Sequence, residues 1–123
     1  MFALLNYLIN NESVNKGGVD MLNQVTLVGE VVGAPQLRET QSGYKMAIMQ
    51  ISVDRNFKSQ NGEVEKDLFE VTLWRAMAEE SIEKCKLNSM VGISARLQSN
   101  NFSKEDKTYY KSNIIAERIS VLS

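Results

Sequence analysis

The chain has no histidine, one cysteine, one proline and one tryptophan in 123 residues. Without histidine there are no Ser-His or Cys-His nucleophile pairs, no His-ligated metals and no imidazole proton shuttle. A lone cysteine, Cys85, cannot close a disulfide within the chain, which fits a cytoplasmic setting. No apolar run reaches the ~20 residues that a spanning helix needs, so no membrane partner is expected. An excess of charge is missing too. There are 14 Lys and Arg against 15 Asp and Glu, a formal net charge of −1. Any nucleic-acid partner must therefore be held by local basic patches, because the bulk charge offers no attraction. What remains is ordinary globular material, 43% apolar and 24% charged, of a length that suits one core.

Residues 1–20 differ from the rest. Met1 to Ile9 is a short apolar run without the basic start and cleavage site of a signal peptide. Asn10 to Asp20 is polar, contains Gly17-Gly18 and reads as a linker. Lys16-Gly17-Gly18 can be encoded by AAA-GGA-GGN, a ribosome-binding sequence, just upstream of Met21. The expected biological start is therefore Met21, and the alternative is an apolar arm that packs on a partner or a second copy. Intact mass from the native source decides, since a full 123-residue species excludes the first reading. Without Lys16, Glu12 and Asp20 the remaining core carries 13 charges of each sign. The expected domain spans residues 21–123.

Five strands and one helix are expected there. Gln24 to Val32 is the first strand, with Gly29 marking a bulge or bend and Gly33-Ala34-Pro35 breaking it. Tyr44 to Asp54 alternates Ala47, Met49, Ile51 and Val53 on one face. Met46 and Ile48 give its other face apolar character, as in a barrel or at a subunit contact. Asn56 to Asp67 is a polar hairpin loop around Asn61-Gly62. Leu68 to Arg75 places Phe69, Val71, Leu73 and Arg75 on one side and Leu68, Glu70, Thr72 and Trp74 on the other. Ala76 to Leu87 switches period, with Ala78, Ile82 and Cys85 as the apolar stripe of a short helix. Met90 to Gln98 is the fourth strand, Ser99 to Lys107 a polar loop, and Thr108 to Leu122 a bent last strand. The fold class is all-β. The order β-β-β-α-β-β is that of a five-stranded OB-fold barrel with one short helix between strands 3 and 4, although sandwiches and open sheets share it.

Catalytic constellations are weak. Glu79-Glu80 and Glu105-Asp106 are sequence neighbours on exposed elements and read as solvated charges. Cys85 reads as a small core residue, because Lys84 and Lys86 do not share its helix face. Neither standard phosphate-cradling glycine spacing occurs. No catalytic residue, metal or cofactor is expected.

The aromatics carry more information. Phe57 lies between Arg55 and Lys58, Trp74 precedes Arg75, and Phe102 leads into Lys104, Lys107, Tyr109, Tyr110 and Lys111. Phe57 and Phe102 fall in polar loops, where a core has no use for them. Between Arg96 and Lys111 four basic residues face two acidic ones. Rings interleaved with cations are what a single-strand binder needs: bases stack on the rings and the cations follow the phosphates. Ordinary loop aromatics remain the competing explanation, and alternation alone inclines Trp74 toward the core.

Several segments resemble bacterial single-stranded DNA-binding proteins of the SSB family. They are Met21 to Gly29, Ala34-Pro35-Gln36-Leu37-Arg38, Asp54 to Lys58 with Gln60 to Glu63, Val71 to Arg75 with Ala78-Glu79, and Ala95-Arg96-Leu97 with Phe102 and Tyr109-Tyr110. The resemblance implies an OB-fold that binds single-stranded DNA without reading sequence in replication, repair or recombination. It also implies a homo-oligomer, with a homotetramer favoured over a dimer. It carries stacking roles to Phe57, Trp74 and Phe102, a further stacking position to Leu68 or Phe69, and basic contacts to Arg55, Lys58, Arg75, Arg96 and Lys104. With Lys107 and Tyr109 from the pattern of rings and cations, these make up the expected DNA-binding set. Family members continue into a flexible linker and an acidic tip that recruits repair proteins. This sequence stops at Ser123, so no acidic tail is expected. Two rival functions are a primosome-type platform for other proteins and a single-stranded RNA binder.

Overall fold

Period-two alternation decides which side chains meet in the middle of this protein. In the computed structural model, which describes residues 20–123 apart from the side chains of residues 57 and 58, the strands are β1 (Val25–Glu39), β2 (Lys45–Lys58), β3 (Val64–Trp74), β4 (Met90–Ser99), β5 (Phe102–Lys104), β6 (Lys107–Tyr109) and β7 (Ser112–Val121). One helix, α1 (Ala76–Lys84), separates β3 from β4. The expectations for residues 1–19 lie outside the described residues. Five strands close into a barrel in the order β1-β2-β3-β7-β4, with β4 pairing back to β1. This is the expected OB-fold.

The barrel interior is the inward-facing set: Ala47, Met49 and Ile51 from β2, Val71 and Leu73 from β3, and Val91, Ile93 and Ala95 from β4. Ala78 and Cys85, on and just after α1, complete that cluster. Burial pushes the Cys85 thiol up, and the residue packs as the small apolar group expected. The buried helix positions include Ser81, whose hydroxyl donates to the Ala78 carbonyl at 2.7 Å, while Ile82 is only half-buried. The helix ends at Lys84, three residues earlier than its periodicity predicts.

Other boundaries move for physical reasons. Gly33-Ala34-Pro35 does not end β1. The strand runs on to Glu39, and two register shifts, between Val31 and Gly33 and between Gly33 and Gln36, absorb the proline. Pairing of β2 with β3 continues outward to Lys58 and Val64, so much of the expected loop is ladder. The expected loop Ser99–Lys107 and the start of the expected last strand form a second hairpin, β5 on β6. Glu105 and Asp106 are its two turn residues, both at positive φ, as the tight turn that matches strand twist requires.

Topology places the ends. β3 and β7 run parallel, with Val71 beside Ile114 and Thr72 beside Ile115. The β2–β3 turn precedes β3 and the β5–β6 hairpin precedes β7. Both hairpins therefore leave the barrel at the same end. The helix and the β1–β2 turn occupy the opposite end.

Candidate nucleic-acid interface

The β5–β6 hairpin is an aromatic and cationic arm. Phe102 pairs with Tyr109 across it, and their rings stack at 5.1 Å between centroids and 15° from parallel. Phe102 is 51% exposed and Tyr109 45%, so the stack lies open to solvent. Lys104 pairs with Lys107 two residues further out. Alternation puts both lysines on the face that carries the rings. Ser103 and Thr108 meet on the opposite face, their hydroxyls 3.3 Å apart. Tyr110, the next residue, is 83% exposed.

The β2–β3 arm is different. Arg55 Nη1 donates to Glu65 Oε2 at 2.7 Å, and Nη2 and Nε donate to Asp67 Oδ1 at 2.8 and 3.1 Å. The hydrogen bond and charge of Asp67 raise the Arg55 pKa, and the reverse pull holds the Asp67 carboxyl below its usual range. Lys66 is bound to Asp54 at 2.6 Å. Arg55, expected as a basic contact to DNA, is thus engaged by two carboxylates in this structure. The side chains of Phe57 and Lys58 lie outside the described residues. Replacing both carboxylates, Glu65→Gln with Asp67→Asn, is expected to free Arg55 and remove two repelling charges. Affinity for oligo-dT at low salt should rise several-fold, with a steeper salt dependence by about one phosphate contact. Unchanged affinity in a fluorescence titration would exclude Arg55 from the interface.

Trp74 lies at the far end of β3 on the outer surface, not in the core toward which alternation inclined it. The closed barrel buries only one face of β3, and Trp74 is on the other. Its row across the sheet is Arg38, Met46, Trp74. The next row is Gln36, Ile48, Thr72, Ile115, Arg96. Arg96 thus shares the outer face with Trp74 and reaches Glu117 only at 4.0 Å. Leu68, also outward, is 71% exposed, whereas Phe69 packs against the core. The further stacking position that the resemblance carried to Leu68 or Phe69 is an aliphatic surface here. From Leu68 to Trp74 is six residues along one strand face, about 20 Å.

Arg75 departs from its expected side. Alternation aims it inward with Leu73, where a guanidinium has no partner. The backbone turns instead to φ 57°, ψ −127° as the helix begins, and the guanidinium lies over the Tyr44 ring at 4.8 Å. The expected set therefore divides. Phe102, Lys104, Lys107 and Tyr109 share one arm, Trp74 and Arg75 mark the helix end, and Arg96 lies on the face between. Tyr44 and Arg38 were not in the expected set. Their proximity depends on strand register, which sequence spacing does not display.

The model of the Single-strand binding protein family matches residues 22–122. The chain belongs to that family. It is 37% identical over 100 residues to single-stranded DNA-binding protein B of Bacillus subtilis, covering 80% of this chain and 88% of that one. It is 39% identical over 103 residues to the single-stranded DNA-binding protein of Oceanobacillus iheyensis, covering 83% of this chain but only 64% of that one. A solved structure of a deletion mutant of the Thermus aquaticus single-stranded DNA binding protein superposes with a TM-score of 0.67 at 22% identity, over 83% of this chain and 51% of that chain. The small single-stranded DNA-binding protein of Streptomyces coelicolor gives 0.63 at 18% identity, over 82% and 95%. These two likenesses bear on the fold. Among the described residues of this family member, no cluster of ligating side chains could hold a metal, and no helix is long and apolar enough to cross a membrane.

Proposed function

We propose that this chain binds single-stranded DNA without reading its sequence and protects exposed strands in replication, repair or recombination in the cytoplasm. The carrying observation is the open Phe102–Tyr109 stack with Lys104 and Lys107 on the same face. Bases stack on the rings, each worth about 1–3 kcal/mol, and the lysines take the phosphates. The outer face of β3, with Arg96 beside it and Trp74 and Arg75 at its end, carries the strand onward. Arg55, Phe57 and Lys58 extend the reading to the second arm, Arg55 only once its carboxylates let go. The role is binding, with no reaction catalysed. We place residues 21–123 as the binding domain, preceded by an N-terminal extension.

Self-association as a homo-oligomer, with four subunits favoured, belongs to the same reading. Val28, Val32 and Leu37 are exposed along β1 and support it. A light-scattering mass of one chain at micromolar concentration would exclude it.

Trp74 is the one tryptophan, so its emission reports on one spot. Titration with oligo-dT is expected to quench it strongly. Log affinity should fall by about 3 per decade of salt if four phosphates are engaged. Duplex DNA should not reproduce the effect. Absence of both quenching and a gel shift would sink the proposal, and RNA competing on equal terms would turn it toward RNA.

A further inference from the structure

We propose that Tyr44, with Arg75 laid on its ring, is an additional base-stacking platform that continues the strand path past Trp74 around the helix end of the barrel. The inference rests on the single-strand-binding reading above. Four observations carry it. Tyr44 is 48% exposed although its ring is large and apolar. Its backbone is held at both groups: the Thr40 N–H donates to its carbonyl at 2.8 Å, and its own N–H donates to Thr40 Oγ1 at 3.1 Å. The ring is thus presented from a fixed turn, which lowers the cost of ordering it when a base arrives.

Position is the third observation. Met46 pairs directly with Trp74, and Tyr44 stands two residues before Met46, immediately ahead of β2. Alternation carried one step past the strand would make Tyr44 a diagonal neighbour of Trp74, at roughly 7–8 Å between backbone positions and within reach of aromatic side chains. Two rings at that spacing would serve neighbouring bases of one extended strand. The fourth is Arg75. Its guanidinium lies over one face of the Tyr44 ring at 4.8 Å, so a cation already stands at the proposed platform. The residue adopts a backbone conformation that non-glycine residues rarely visit, φ 57°. Such conformations concentrate at binding sites. Arg38 lies in the row of Trp74, where it would take a further phosphate contact. Lys45, by contrast, is tied to Glu79 at 2.7 Å and adds nothing.

The test compares the full chain with Tyr44→Ala, Tyr44→Leu and Tyr44→Phe, measuring oligo-dT affinity by anisotropy of a labelled strand. Alanine is expected to weaken binding between about fivefold and a hundredfold, the loss of one stacked base. Leucine, which keeps apolar volume without a π face, should weaken it nearly as much, and phenylalanine should bind like the parent. If the parent binds and the alanine variant binds equally well, the platform is overturned and the single-strand reading survives. A leucine variant equal to the parent also overturns it, because packing alone then explains the ring. If the parent itself does not bind, the underlying reading fails and this inference falls with it.

Discussion

Changing Gly29 to alanine is expected to destabilise the barrel by about 2 kcal/mol, the ordinary cost of overpacking a filled interior. Gly29 lies where β1 leaves β4 for β2. It pairs with Val91, and the next residue, Glu30, pairs with both Met90 and Ser52. A methyl group on Gly29 would sit 2.6 Å from the Ser52 carbonyl oxygen and 3.0 Å from Val53 Cγ2. The nearer obstacle is backbone, so no rotamer change removes it. A glycine-to-alanine change in a strand with free space would stabilise by roughly 0.4–1 kcal/mol, through the unfolded chain. The sign of the effect is therefore diagnostic. Thermal unfolding should show a midpoint lowered by on the order of 10 °C. A midpoint equal to the parent's or higher would mean that β1 does not cross β2 this closely. The sequence marks Gly29 as a bulge or bend; the structure shows that its function is space.

Replacing Trp74 and Phe102 together with alanine is expected to lower oligo-dT affinity by two to four decades, at about one to two decades per lost stack. The two rings stand at opposite ends of the β3 face, one on the barrel wall and one on the β5–β6 arm. They share no partner, and sites more than about 10 Å apart act nearly additively. The two single variants should therefore sum to the double. Because both side chains are exposed, folding should survive, and far-ultraviolet circular dichroism and the thermal midpoint check it. A double variant no weaker than one of the singles would show that only one end touches the strand. Tyr109 makes the Phe102 end informative in its own right. With its stacking partner gone, that ring keeps its place on β6 but loses the near-parallel neighbour 5.1 Å away.

Much of the barrel was legible because alternation is written in adjacent residues. Ala47, Met49 and Ile51, then Val71 and Leu73, then Val91, Ile93 and Ala95 are buried in the pattern their spacing predicts. The β5–β6 hairpin was not legible. Its strands are three residues each and entirely polar or aromatic, so no apolar alternation announces them. The continuation of β1 through Pro35 was hidden for another reason. Proline forbids a ladder donor, and only paired register shifts on a neighbouring strand show that the strand survives it.

The candidate site divides along the same line. The sequence by itself determined which rings and cations are available, that Phe57 and Phe102 have no reason to be core, and that bulk charge contributes nothing to binding. Only the tertiary structure decided which cations are free. Arg55 is locked because register brings Glu65 and Asp67, ten and twelve residues away, against it. Lys104 and Lys107 sit beside a ring stack because a hairpin folds them onto one face. Arg75 meets Tyr44, thirty-one residues away, because the chain must turn a charge out of the barrel before α1 begins. Alternation has a range of two residues and survives in any local window. Ion pairs, cross-strand rows and shared ends depend on register between distant strands, which closure of the barrel sets.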